Sequence, residues 1–136
     1  MAKIFIVDDD PDVVEACTLI LEAHGHDVTA RFNRDEGMKL LEEDTPELLI
    51  LDVMMEQPDD GIAMAQELRR KNFETPILML TSIGKTIGFD IGRDSEIVPV
   101  DAFEEKPLEP RKLVSVVSEL LARKVKGDTS NASDRK

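Results

Sequence analysis

Leu48-Leu49-Ile50-Leu51-Asp52 is the stretch whose reading decides the fold. Four consecutive apolar residues without alternation read as a strand buried on both faces, the pattern of a parallel sheet covered by helices. The run ends on a carboxylate. In an open α/β sheet that position lies on the carboxyl edge of the strands, where such folds hold their ligands.

Working outward, Lys3-Ile4-Phe5-Ile6-Val7 repeats the pattern and runs into Asp8-Asp9-Asp10. Residues 27–31 predict a short strand, Pro76 to Thr81 a fourth buried one, and residues 97–103 a fifth. Helical patterns fill the gaps. Asp10 is placed as N-cap and Pro11 in the first turn of a helix to about His24, ended by Gly25. Val13, Cys17, Ile20 and Leu21 share its inner face. Asn33 caps a second helix over 34–43, and a third runs over about 60–71 with Ile62, Ala65 and Leu68 inward. From Ser82 to Glu96, Ile83, Ile87 and Ile91 keep helical spacing, but Gly84, Gly88 and Gly92 cost about 1 kcal/mol each relative to alanine. A short or distorted fourth helix is expected there. A last helix starts near Pro110 and turns Leu113, Val117, Leu120 and Leu121 inward. The polar residues 124–136 have nothing to bury, so a mobile tail is expected after a single domain over 1–123.

Five strands alternating with five helices imply a doubly wound parallel sheet with right-handed crossovers. Asp8, Asp9, Asp52, Thr81 and Lys106 then fall at or just beyond strand ends on one edge. Composition narrows what that edge can do. The 136 residues suffice for one cored domain, and the single cysteine, Cys17, excludes an internal disulfide and reads as an inert core thiol. Net charge is −12, from 29 acidic and 17 basic residues, which makes nucleic-acid binding a poor expectation. No apolar run approaches the ~20 residues that span a bilayer. The first strand begins at once, leaving no room for a signal peptide, so a cytoplasmic protein is expected. His24 and His26 have no matching ligands and read as helix-end and loop residues.

Three carboxylates brought close together repel, and a divalent cation with oxygen preference, such as Mg²⁺, is the simplest remedy. Beside it, Asp52 can act as a nucleophile toward phosphorus. Lys106 can supply a cation and Thr81 a hydroxyl donor to the equatorial oxygens.

The run Ile6-Val7-Asp8-Asp9-Asp10-Pro11, followed in order by Leu51-Asp52, Leu80-Thr81 and Lys106-Pro107, resembles the receiver domain of bacterial response regulators in two-component signalling. The likeness covers about residues 2–123. It implies a flavodoxin-like (βα)5 fold with strand order 2-1-3-4-5. It implies Asp52 as phosphoacceptor, with a histidine kinase or phosphotransfer protein as donor, and Asp8, Asp9, Asp52 and the Met54 backbone carbonyl as ligands of Mg²⁺ (or Mn²⁺). Thr81 and Phe103 become the switch pair, Lys106 the site cation, and a cis bond is expected before Pro107. The product is a single-domain switch for a protein partner, no enzyme beyond Mg²⁺-dependent self-phosphorylation and autodephosphorylation.

Departures from the family pattern cluster on the loops. Met55-Glu56-Gln57-Pro58 replaces the usual Met-Pro arrangement, Gly61 arrives one residue late, and the segment between Thr81 and Lys106 is longer than in most receivers. These loops leave a second reading open, a receiver-like interaction module that works without phosphate. A flavin carrier is disfavoured because three aspartates after the first strand repel a flavin phosphate. A haloacid-dehalogenase-type phosphatase is disfavoured by Asp12, where a hydroxyl or branched residue is wanted.

Overall fold

The computed structural model describes residues 2–55, 60–82, 100–106 and 108–132. Its elements run β1 (Lys3–Val7), α1 (Pro11–Ala23), β2 (Asp27–Arg31), α2 (Arg34–Glu43), β3 (Leu48–Asp52), α3 (Asp60–Arg70), β4 (Ile77–Ser82), β5 (Ala102–Lys106) and α4 (Pro110–Ala132). All strand pairs are parallel, and the sheet order is β2-β1-β3-β4-β5. The flavodoxin-like order expected from the resemblance is therefore the observed one.

The two-residue period of the strands divides the core. Phe5, Val7, Leu49, Leu51, Ile77 and Met79 face Leu40 of α2 and Met64, Ala65 and Leu68 of α3. Their neighbours Ile4, Ile6, Leu48, Ile50, Leu78 and Leu80 face Cys17 and Leu21 of α1 and Leu113, Val117 and Leu120 of α4. Both sets are buried, which is why β1, β3 and β4 read as unbroken apolar runs. Each fully buried Leu or Ile is worth about 1.5–3 kcal/mol, so a one-residue register slip is heavily penalised.

Local signals set the helix ends. The Asp10 carboxylate accepts the Asp12 N–H at 2.9 Å, and the Asn33 side chain accepts the Glu36 N–H at 2.8 Å. Gly25 reverses the chain after α1 at φ 88°, a conformation that side chains resist.

The structure corrects several sequence expectations. In α1 Val14 is buried together with Cys17 and Leu21, while Val13 and Ile20 are half-buried. All five pack against the same cluster, so the inner face of α1 is the expected one widened by Val14. The fifth strand, expected over 97–103, occupies Ala102–Lys106 among the described residues, and 97–99 lie outside them. As the edge strand it carries Glu104 and Glu105, so it lacks the apolar run that betrays the central strands. The last helix continues to Ala132, past Lys124 where the polar tail was expected to begin. Gly127, Asp128, Thr129, Ser130 and Asn131 are weak helix formers, so this extension leans on the turns already nucleated against the core. Four helices are present among the described residues. The expected distorted helix over 84–95, the cis bond at Pro107 and most of the 55–61 loop lie outside them.

Candidate functional site

Strand parity brings the site together before any side chain bends. Asp8 continues the Ile4 and Ile6 face of β1, Asp52 the Leu48 and Ile50 face of β3, and Lys106 the Ala102 face of β5. All three therefore emerge on the α1/α4 side at the carboxyl edge. Asp8 is completely buried and Asp52 nearly so, whereas Asp9 is exposed at the rim. Carboxylate oxygens of Asp8, Asp9 and Asp52 lie within 4.8 Å of one another.

Lys106 reaches into this cluster from the edge strand. Its Nζ stands 3.1 Å from Asp8 Oδ2 and 3.2 Å from Asp52 Oδ1. The other Asp8 oxygen, Oδ1, accepts the Asp10 N–H at 2.9 Å, which aims the carboxylate inward. Asp8 Oδ2 makes no aligned hydrogen bond among the described residues, and Lys106 Nζ is the positive charge beside it. A fully buried carboxylate oxygen in that condition is costly.

The electrostatics carry the same imbalance. Burial first, and then the Asp8 carboxylate, push the Asp52 carboxyl up to about 7, against only partial relief from Lys106. Burial works to lower Lys106, but the Asp8 and Asp52 carboxylates more than offset it and hold the ammonium above its ordinary range. One ammonium for three crowded carboxylates leaves the cluster short of positive charge. Hard oxygen donors, an orphaned buried oxygen and a charge deficit together fit a divalent cation, and the cluster can hold one.

The remaining candidates are placed as follows. Leu80 is the register partner of Asp52, and Thr81, buried, follows it at the end of β4. Phe103 pairs in register with Met79 and is half-buried on the α2/α3 side of the sheet. Thr81 shares that parity and lies one residue past the level of Asp52, at the carboxyl edge of the sheet. Met54 exposes its side chain just after β3. Beneath the cluster, Cys17 is buried, and burial followed by the Asp8 charge pushes its thiol up to about 12. His24 Nδ1 lies 3.0 Å from the Ile20 carbonyl, and His26 Nδ1 accepts the Ala2 N–H, so both are occupied at the opposite, N-terminal edge. A surface hollow of about 440 Å³ between α2 and α3, lined by Met38, Leu41, Leu68 and Phe73 among others, contains none of the clustered acids.

Two features escaped the sequence reading. The Asp10 N–H that orients Asp8 leaves no trace in residue type, because any non-proline residue supplies it. Gly61 approaches the Asp52 peptide closely, and its one visible signal was a glycine at the start of α3.

Comparison with known proteins gives a consistent picture. The profile of the response regulator receiver domain matches residues 4–118. The chain is 34% identical over 125 residues to the alkaline phosphatase synthesis transcriptional regulatory protein PhoP of Bacillus subtilis, covering 89% of this chain and 49% of that protein. This chain thus spans about half the length of that curated relative. A putative response regulator from Chloroflexus aurantiacus superposes with TM-score 0.75 at 31% identity, covering 89% of this chain and 98% of the other. NtrX from Brucella abortus superposes with TM-score 0.82 at 26% identity, covering 96% of this chain and 29% of its own. No helix among the described residues is long and apolar enough to cross a membrane. With fold, strand order and sequence profile in agreement, the chain belongs to the response regulator receiver domain family of two-component signalling.

Proposed function

We propose that this receiver domain accepts a phosphoryl group on Asp52 from a phosphorylated histidine of a kinase or phosphotransfer protein, and thereby changes its affinity for a protein partner. The observation that carries the reading is Lys106 Nζ poised between Asp8 Oδ2 and Asp52 Oδ1 beside three clustered carboxylates. That arrangement supplies a nucleophilic oxygen and a cation for the transferred group on the same rim.

In the transfer, an Asp52 oxygen forms a bond to phosphorus as the phosphorus–nitrogen bond of the donor imidazole breaks. The electron pair returns to that nitrogen, which takes up a proton from solvent. Asp8, Asp9, Asp52 and the Met54 carbonyl would hold Mg²⁺. The bound ion supplies positive charge for the phosphoryl oxygens and relieves repulsion among the acids. Lys106 follows the transferred oxygens with its ammonium group, and Thr81 offers them its hydroxyl. Phe103, on the same face as Thr81, is the side chain through which that hydroxyl's movement reaches the β5 edge. The new charge then shifts the population between two conformations of this edge.

The test is incubation with Mg²⁺ and a small acyl phosphate, read by intact mass. One added phosphoryl group in the wild type, absent from Asp52→Asn, is the expected result. No adduct with any acyl phosphate or phosphohistidine donor would refute phosphorylation and leave the phosphate-independent interaction module. Amide shifts from Thr81 to Phe103 should accompany the adduct; their absence would remove the switch pair from the reading.

A further inference from the structure

Gly61 lies where α3 begins, and no charged or polar group of its own takes part in the site. Its position is nonetheless tightly prescribed. A Cβ built there would stand 2.7 Å from the Asp52 carbonyl carbon and 2.9 Å from Val53 Cα, with the Asp52 carbonyl oxygen closer still. These are backbone atoms, which cannot swing aside as a side-chain tip can. The Gly61 N–H also donates to the Val53 carbonyl at 2.8 Å, while the Val53 N–H donates to the Leu80 carbonyl at 3.0 Å. The two peptides that flank Val53 are therefore held, one by β4 and the other by the first turn of α3.

We infer that Gly61 is a positioning residue for the acceptor: by letting α3 touch the backbone of Asp52 and Val53, it fixes the Asp52 carboxylate against Asp8 and Lys106. The reasoning separates this role from ordinary packing. Gly37 of α2 is also crowded, but a Cβ there meets the Val7 methyls at 2.8 and 3.0 Å and the Met64 Cε at 3.2 Å, all side-chain atoms. Those can give by small rotations. At Gly61 the displaced atoms belong to the acceptor's own peptide, so added bulk must move the site itself.

The inference rests on the reading of Asp52 as phosphoacceptor, and the experiment keeps the two apart. Gly61→Ala and Gly37→Ala are compared with wild type by thermal melting without metal, by Mg²⁺ affinity from titration calorimetry, and by the rate of phosphorylation with acyl phosphate. Gly61→Ala should lose tenfold or more in both Mg²⁺ affinity and phosphorylation rate. Gly37→Ala should melt lower yet bind Mg²⁺ and accept phosphate within twofold of wild type. Wild-type Mg²⁺ affinity in Gly61→Ala overturns the positioning role. If the wild type binds Mg²⁺ but takes no phosphate, the acceptor reading fails while the Mg²⁺ comparison still decides Gly61. Should Gly61→Ala not fold, wild-type amide spectra decide. The Gly61 N–H must shift on Mg²⁺ titration with the same midpoint as Asp52 and Val53. A Gly61 amide that stays fixed while those two move refutes the clamp.

Discussion

Replacing Asp52 with asparagine should make the metal-free protein more stable at neutral and alkaline pH, although it removes a partner of Lys106. The ionised Asp52 carboxylate is buried beside a second buried carboxylate, and its carboxyl is raised from its usual 3.8 to about 7. Between those values the native state keeps a proton that the unfolded chain has released. Stability therefore falls as pH rises across that window and levels off above it. At about 1.4 kcal/mol per pH unit the full window corresponds to about 4 kcal/mol, and we expect a gain of about 2–4 kcal/mol at pH 8. For a domain of this size that is a rise in melting temperature of roughly 6–12 °C. Below pH 5 the acid is largely protonated in the native state, and the gain should shrink toward zero. The assay is thermal melting by far-ultraviolet circular dichroism from pH 4 to 8.5, with chelator and with Mg²⁺. Added Mg²⁺ should raise the wild type and close much of the gap, because a cation supplies what the cluster lacks. Destabilisation of the variant at pH 8, or a gain that ignores pH, would refute the account of Asp52 as an uncompensated buried acid.

Lys106→Met should destabilise the metal-free protein by about 3–5 kcal/mol by leaving two buried carboxylates without their ammonium partner. Mg²⁺ should recover more of the melting temperature in that variant than in wild type. Cys17, buried and with its thiol pushed up to about 12, should resist iodoacetamide at pH 8 in the folded protein and react fully in denaturant, as intact mass will report. Asp10→Ala removes the N-cap of α1 but keeps the N–H that orients Asp8, so a loss of about 1 kcal/mol in urea unfolding is expected. Its Mg²⁺ affinity should stay within twofold of wild type; a larger drop would mean that the Asp10 carboxylate itself serves the cation.

How far the chain could be read without coordinates differs from element to element. β1 and β3 carry apolar runs because both faces are covered, and such runs survive in sequence at their observed bounds, Lys3–Val7 and Leu48–Asp52. Asp10 and Asn33 were legible as caps because capping depends on a side chain reaching its own helix. β5 was misplaced because an edge strand with Glu104 and Glu105 leaves no such trace. In α1 the expected Val13, Cys17, Ile20 and Leu21 all pack against the core, and Val14, more deeply buried than Val13, was missed because how the helix seats on the sheet is not written in its apolar spacing.

The residue order alone determined that buried parallel strands end in carboxylates on one edge, since burial and chain direction are written locally in apolar runs and their terminal residues. Only the tertiary structure decided that Asp8 is buried while Asp9 stays exposed, that Lys106 spans Asp8 and Asp52, and that Gly61 presses on the acceptor's own peptide. Those relations join residues far apart in the chain through strand register and helix seating. Such distances depend on the whole packed sheet and on no single stretch of it.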